Sequence, residues 1–347
     1  MAKNRSDLLL NILVDAMGSD HGPSAIVEGC VRAIKEAQGF DIKLIGDSVE
    51  IKKIMKETGF SSDRLSVVHA DEVITMEDSF KAVRTKKNSS MSIGLNMLKE
   101  KQGDVFLSAG NTGALLTGAT VILHRIKGVD RPALAAVMPS QKGCVCLIDC
   151  GANTVCKPIN LLQFGIMGSI YMQEVFDVVN PKVGIINNGT EEHKGTDLVK
   201  ESRKLLEQAS INFMGNIEGR DIAGGEIDVA VCDGFVGNIL LKFYEGAGSF
   251  IKDSLKGIFT SNIVAKVSTV FLYNNLKKFT KQLDYTEHGG APLLGVNGKV
   301  MKTHGSANAK AVKNAVLKAA KFGESTVLEQ ISNEFYNMEV EASEQDN

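Results

Sequence analysis

A doubly wound α/β sheet is the fold class this sequence predicts, on two observations. Apolar runs rich in Val and Ile alternate with helix-length amphipathic segments along most of the chain, which is the rhythm of right-handed βαβ units. The runs are nearly continuous in hydrophobicity, as strands covered on both faces are. "LLLNILVDAM" (8–17) reads as the first strand and ends in "GSDHGPS", after which Pro23 and Ser24 open a helix from Ala25 to Ala37 that stops at Gly39. "IKLIGD", "EIKKIMKETG" and "RLSVVHA" follow as strand, helix and strand. "DVFLSAG" precedes a helix from Thr112 to about Arg125, "CVCLIDCGAN" precedes "NLLQFGIMGSIYMQEVF", "KVGIINNGT" precedes "TDLVKESRKLLEQA", and "VAVCDGFVGN" runs into "NILLKFYEGAGSFIKD". Nothing resembles a linker or a repeat, so residues 8–338 are expected to form a single domain, with 339–347 ("VEASEQDN" and its neighbour) as a flexible acidic tail.

Composition narrows the class of protein. The 347 residues are 44% hydrophobic and 23% charged with a formal charge of -2, so a sizeable core is affordable and no global electrostatic footprint for nucleic acid exists. Met1 is not followed by a secretory pattern, and no uninterrupted apolar segment approaches the roughly 20 residues of a membrane span, so a cytoplasmic chain is expected. Six cysteines occur without CxxC spacing. Cys144 and Cys146 sit one residue apart on a strand, unlike paired zinc ligands, so reduced core cysteines are expected and no metal is.

Polar, Gly-flanked clusters follow successive strands: "DAMGSDHG", "SAGNTG", "DCGANTVCK", "NNGTEEHKG", "GNIEGRD", "CDGFVGN" and "THGSAN". Ligands of open α/β sheets bind outside the carboxyl ends of strands, where loop amides and helix N-termini point. Glycines admit a close backbone approach, Asn, Ser and Thr supply neutral donors, and Lys157, Lys194 and Arg220 bring charge, an inventory that suits an oxyanion or phosphate. Turn and cap duty explains any one cluster as well. GxxxxGK[ST] and GxGxxG are missing, as is a GxSxG elbow. Cys232 fits a packed strand end better than a nucleophile, and His21 and His304 lie in loops where a functional and a structural role are open. Asp15, Asp149 and Asp233 end strands and are placed to orient neighbouring groups. The residues alone thus describe an enzyme that binds a small anion without covalent nucleophile, cofactor or metal.

"ILVDAMGSDHGP", "LSAGNTGALL", "DCGANTVCKPINLLQFGIMGSIY", "GTEEHKGTDLVKE", "VCDGFVGNILLK", "EHGGAPLLGVNG" and "HGSANAKAVKNA" together resemble the phosphate acyltransferases of the PlsX family, in register from about Leu8 to Phe322. The resemblance implies a three-layer, Rossmann-like fold shared with phosphotransacetylases and the isocitrate/isopropylmalate dehydrogenases. It implies a homodimer, and reversible formation of acyl phosphate from long-chain acyl-acyl carrier protein and inorganic phosphate, the first step of bacterial phosphatidic acid synthesis. The product would pass to a membrane glycerol-3-phosphate acyltransferase of the PlsY family. On this reading phosphate lies near Ser108, Asn111 and Thr112, with Lys157 and Lys194 as charge and His304 and Ser306 near the reacting carbonyl. Asp15, Asn153, Asn187, Thr190, Asn216, Arg220, Asp233 and Asn238 complete the candidate binding set. "HGSAN" lacks the arginine that phosphotransacetylases carry beside the corresponding serine, which leaves the cation to Lys157, Lys194 or Arg220.

Two surfaces stand apart from the site. Lys81, Arg84, Lys86 and Lys87 form the most concentrated basic loop, either a dock for the acidic carrier protein or a solvated face. Within 250–282, taken as an amphipathic helical insertion, Ile258, Phe259, Ile263, Val267, Val270 and Phe271 follow helical spacing and lysines 266, 277, 278 and 281 flank them. Such a segment either lies on an anionic bilayer, making the protein peripherally membrane-associated, or packs as a dimer-interface or core helix pair. Two other functions share the fold class: an NAD(P)-dependent decarboxylating dehydrogenase, whose metal carboxylates and arginine cluster are not located here, and a non-catalytic acyl- or phosphate-binding scaffold.

Overall fold

A computed structural model describes residues 9–283 and 289–345, and the side chains of Lys277, Lys278 and Lys281 lie outside that description, as do Leu8, Glu287 and His288. In chain order the elements are β1 (Leu10–Asp15), α1 (Pro23–Glu36), β2 (Phe40–Gly46), α2 (Ser48–Glu57), β3 (Leu65–His69), α3 (Ala82–Thr85), α4 (Ser90–Lys99) and β4 (Val105–Ser108). Then come α5 (Thr112–Gly118), which runs on as a π-helical turn over Ala119–Leu123, β5 (Ala133–Ser140), β6 (Gly143–Ile148), α6 (Pro158–Phe176), β7 (Lys182–Ile186), α7 (Asp197–Gln208), β8 (Asn212–Ile217) and α8 (Gly219–Gly224). The rest is β9 (Val229–Val231), α9 (Gly234–Thr260), α10 (Ile263–Leu283), β10 (Ala291–Leu294), β11 (Lys299–Lys302), α11 (Ala309–Glu324) and α12 (Val327–Gln345).

The strands form one sheet in the order β3-β2-β1-β4-β11-β10-β5-β6-β9-β7-β8. Strands β3, β2, β1, β4 and β11 are mutually parallel, and so are β6, β9, β7 and β8. Between the two sets, β10 is antiparallel to both β11 and β5, and β5 is antiparallel to β6. The sheet is therefore mixed rather than wholly parallel, and its halves run in opposite directions. Each half alone obeys the predicted βαβ rhythm.

Two apolar clusters cover the two faces, which gives the three layers. On one face Val27, Cys30 and Ile34 of α1, Val312 and Val316 of α11, and Phe164 and Met167 of α6 pack on Ile12, Val14 and Ile148. On the other, Met91 and Leu95 of α4, Leu115 of α5 and Ile222 of α8 pack on Leu13, Phe106 and Leu147. Full burial of a side chain of this size contributes about 1.5–3 kcal/mol. All six cysteines are free thiols; Cys30, Cys146, Cys150 and Cys232 are buried, and Cys144 and Cys156 are half-buried.

Two boundaries move. The segment from residue 339, expected as a loose tail, is helical through Gln345 because α12 is anchored by buried Val327, Ile331 and Phe335 at four-residue spacing. The insertion drawn from residue 250 is the outer part of α9, a single helix from Gly234, which turns through 119° into α10. No single described helix is long and apolar enough to cross a membrane, although these two together pass by length and composition.

Helix α9 starts against the turn after β6, where a Cβ on Gly237 would lie 1.9 Å from the Asp149 carbonyl oxygen. Gly237→Ala is therefore expected to destabilise the protein by about 2 kcal/mol or more in urea unfolding, since backbone has to shift. Gly246→Ala, with nothing within 4 Å of the added methyl, should stabilise slightly through helix propensity, by about 1 kcal/mol at most.

Candidate active site

The sheet register brings the two sets of strand carboxyl ends together. Lys302, the last residue of β11, pairs with Ala291 of β10, two residues before Leu293, which pairs with Leu134 of β5. Ile148, the last residue of β6, pairs with Ala135, the next residue of β5. The loops after β1, β4 and β11 thus face the loops after β6 and β9 across the start of β5. Between them lies a cleft of about 620 Å³.

On the first side, Asp15 is the organising group. Its buried carboxylate accepts from Ser90 Oγ (2.6 Å), Ser108 Oγ (2.7 Å) and Met17 N–H (3.2 Å), while Ser108 Oγ in turn accepts from Gly110 N–H (3.0 Å). Asp15 and Ser108, predicted as ligand groups, are at most 1% exposed and spend their polar atoms shaping the glycine loop. Asn111 caps α5 by accepting from Ala114 N–H, and its amide donates to the carbonyls of Met76 and Asp78. It ties the loop to the 76–78 segment and has no donor left over. Thr112, exposed at the first turn of α5, does line the cleft.

Asp149 does on the second side what Asp15 does on the first. It accepts from the backbone N–H of Leu134, Gly151, Ala152 and Asn153 and from Asn153 Nδ2, at 2.6–3.2 Å. Asn153 also donates to Pro132 O, so its amide is committed. Asp233 caps α9 through the N–H groups of Phe235 and Val236. Cys232 is buried with its thiol directed at Asp149 O, and burial pushes that thiol far above its ordinary pKa, so it packs as a strand-end residue. Asn238, one turn into α9, lines the cleft beside Gly151.

The remaining candidates of this side stand elsewhere. Asn187 donates to Lys194 O, Asn216 donates to Glu191 O, and together they close the 187–195 loop around exposed Thr190. Lys157 is exposed at the start of α6, and Arg220 is 81% exposed and paired with Glu218. Lys157, Lys194 and Arg220, predicted to supply the cation, are not among the residues lining the cleft. Their loops are long, and the strand-end position that the sequence shows does not fix how far a side chain stands from the strand seam.

Lys302 supplies charge there instead. Its ammonium donates to Ala109 O (3.2 Å) and to Thr303 O and lines the cleft. Burial pushes its pKa down to about 8, against the opposing pull of Asp15 and Asp20. Lys302 went unread because it closes the short apolar run "KVM" without a glycine beside it; its place two residues before His304 was the available signal. Lys242, exposed on α9, stands at the same cleft.

His304 also lines the cleft, whereas exposed His21 does not. Ser306 N–H donates to His304 Nδ1 (3.2 Å), and a backbone N–H can only donate, so Nδ1 is the acceptor and Ser306 Oγ, at 2.7 Å, donates to it too. Burial and the neighbouring Lys302 hold the ring's pKa below its usual value. The neutral ring therefore carries its proton on Nε2. Away from this polar corner the cleft is apolar, walled by Leu134, Val137 and Met138 of β5 and by Leu241 and Tyr244 of α9, whose hydroxyl donates to Pro139 O.

Of the basic loop, Lys86 turns inward to Asp78 (2.7 Å) and Val73 O, while Lys81, Arg84 and Lys87 are exposed. On the arm, Ile258, Ile263, Val267, Val270 and Phe271 are exposed, three of them by more than 70%, and Phe259 is half-buried. These residues are not a core helix pair within the protomer.

Nitrogen-detected NMR of the imidazoles should show His304 protonated at Nε2 at neutral pH, with a titration midpoint below the ordinary histidine value of about 6.5. An Nδ1–H tautomer would contradict the Ser306 geometry.

Comparison with known proteins places this architecture. The family model described as "Fatty acid synthesis protein" matches residues 10–330. A phosphate acyltransferase of Acetivibrio thermocellus is 54% identical over 336 residues, covering 96% of this chain and 99% of that protein. One of Alkaliphilus oremlandii is 50% identical over 326 residues, 93% of this chain and 96% of that protein. Among solved structures, a phosphotransacetylase of Streptococcus pyogenes superposes with a TM-score of 0.60 at 15% identity, over 90% of this chain and 94% of that one. A branched-chain phosphotransacylase of Enterococcus faecalis gives 0.54 at 15% identity, over 90% and 99%. These structures share the fold, and the close relatives share the sequence nearly end to end. The chain belongs to the phosphate acyltransferase family and is an acyltransferase.

Proposed function

We propose that the protein transfers the acyl group of a long-chain acyl thioester on acyl carrier protein to inorganic phosphate, reversibly, giving acyl phosphate for phospholipid synthesis. The observation that carries this reading is one cleft whose polar corner, with Thr112, Lys302 and His304, opens onto an apolar trough between β5 and α9. A ligand with an anionic or carbonyl head and a hydrocarbon tail matches both ends. A phosphate oxygen attacks the thioester carbonyl carbon, the C–O bond forms, the C–S bond breaks, and the carrier leaves as its thiol with the proton that hydrogen phosphate gives up. Phosphate is a competent nucleophile at neutral pH, so the protein's task is positioning and oxyanion stabilisation. His304, with Nε2–H as its free donor, stands for the group that binds the carbonyl oxygen. Ser306 keeps its hydroxyl proton on His304 Nδ1 and serves as its orienting partner.

The carrier protein's place is next to the basic loop. Asn111 holds Met76, a cleft residue, and Asp78, which in turn holds Lys86, so exposed Lys81, Arg84 and Lys87 stand beside the mouth. The arm of α9 and α10 presents its apolar residues to an anionic bilayer with Lys266 beside them, in a homodimer that delivers product to a membrane glycerol-3-phosphate acyltransferase of the PlsY family.

Incubating the protein with palmitoyl-carrier protein and phosphate, then trapping with hydroxylamine, should give a phosphate-dependent hydroxamate. Folded enzyme that yields none removes the assignment of acyl carrier protein and phosphate as substrates. In the same assay Arg84→Glu with Lys87→Glu should raise KM for the acylated carrier while sparing acyl-CoA. Co-sedimentation with phosphatidylglycerol vesicles should fall for Val267→Glu. Unchanged sedimentation with a loss of dimer on gel filtration would assign the apolar face to a second copy instead.

A further inference from the structure

The cations that sequence spacing singled out stand away from the cleft, yet a dianionic substrate cannot enter an apolar, partly enclosed site uncompensated. Lys302 is paired in register with Ser108 across β11 and β4, so its side chain rises directly beside the glycine loop. Two of its three ammonium protons are spent on the carbonyls of Ala109 and Thr303. Those carbonyls fix the ammonium in place and leave one N–H for a ligand. The nearby carboxylates do not consume it. Asp15 is already loaded with Ser90, Ser108 and Met17, and the Asp20 carboxylate, although it lines the same cleft, makes no ion pair with Lys302 among the described residues. Lys302 sits on the rigid sheet, whereas Lys242, exposed on α9, has no such constraint.

We propose that Lys302 is the group that holds the phosphate against the thioester carbonyl, the role that Lys157, Lys194 and Arg220 are not placed to fill. This rests on the acyl phosphate reading above and adds to it the substrate's cation. Because burial leaves this ammonium titrating near pH 8, it is charged at neutral pH and loses its proton as pH rises. Phosphate affinity is therefore full below that value and declines above it, and bound phosphate shifts the titration upward by stabilising the charged form. The titratable groups around it are Asp15, Asp20 and His304, with Lys242 and Glu245 of α9 across the cleft. His304, held below the ordinary imidazole value by burial and by Lys302, does not account for a change near pH 8.

The test measures KM for phosphate, expressed as the concentration of the dianion so that phosphate's own ionisation is removed, at saturating palmitoyl-carrier protein from about pH 6.5 to about pH 9. Wild type should show KM rising above about pH 8. Lys302→Met should raise KM at neutral pH by about tenfold or more and abolish the rise, while Lys302→Arg, charged throughout, should keep a lower KM than Lys302→Met and also a flat profile. Lys302→Met with wild-type KM and profile overturns the assignment, as does Lys242→Met reproducing its effect. Should Lys302→Met fail to fold, the wild-type profile decides, a flat KM across the range overturning the proposal. A wild type that makes no acyl phosphate refutes the underlying reading, and a wild type that makes it while ignoring Lys302 refutes only this assignment.

Discussion

Strand β5 is hydrogen-bonded antiparallel on both sides, to β10 and to β6, and the cleft depends on that pairing. A wholly parallel sheet would set every strand's carboxyl end along one edge, with the ligand in a crevice where strand order reverses. Here the two parallel halves run in opposite directions, so their carboxyl ends would lie at opposite edges if the strands were aligned. The register prevents this: β10 pairs only with the first residues of β5, and β6 spans the rest up to Ser140. The halves are thereby offset along β5, and their loops close on each other over its start. A shift of one residue would also turn Leu134, a cleft wall, from one face of the sheet to the other.

Two buried carboxylates then convert loops into walls. Asp15 and Asp149 terminate β1 and β6, and each collects side-chain and backbone donors from the chain around it. Hydrogen bonds to a charged group contribute about 1.5–3 kcal/mol each, and a buried donor left unmatched costs a comparable amount. The Asn, Ser and Asp residues of these loops are accordingly consumed in fixing backbone geometry. What faces the cleft is a polar corner that includes Asp20, Thr112, Asn238, Lys302 and His304, with Lys242 and Glu245 on α9, and an apolar trough. His304 itself is fixed by Ser306 in the same manner, and its orientation decides which nitrogen meets a ligand.

The arm follows a different logic. Helix α9 begins beside the cleft, with Asp233 capping it and Gly237 against the Asp149 carbonyl, and its far end is largely exposed. Its first turns line the cleft through Asn238 and Leu241, while Ile258, Ile263 and Phe271 at the far end and on α10 are exposed. One continuous helix thus links the apolar trough to an apolar surface that the described residues leave uncovered. Contiguous exposed apolar area of this kind marks a contact with lipid or protein.

The sequence by itself determined the α/β class, most strands and helices, the reduced cysteines and the family, because each is written in local periodicity or in long runs of matching residues. Besides β8, of which it read only the closing cluster "GNIEGRD", it missed β5, β10 and β11. The first joins β6 through a hairpin with no helix between, and the other two are four residues each, too short to show a period. It identified His304 and Ser306 as a pair and Thr112 and Asn238 as candidates that reach the cleft. It could not separate Ser108, Asn111 and Asn153, which serve the scaffold, from groups that face a ligand, since an amide or hydroxyl has the same residue type in both uses. Nor could it rank Lys302 above Lys157 and Lys194. Distance across the seam is set by strand register and by which donors a buried carboxylate claims, and those are properties of residues far apart in the chain, which only the tertiary structure decides.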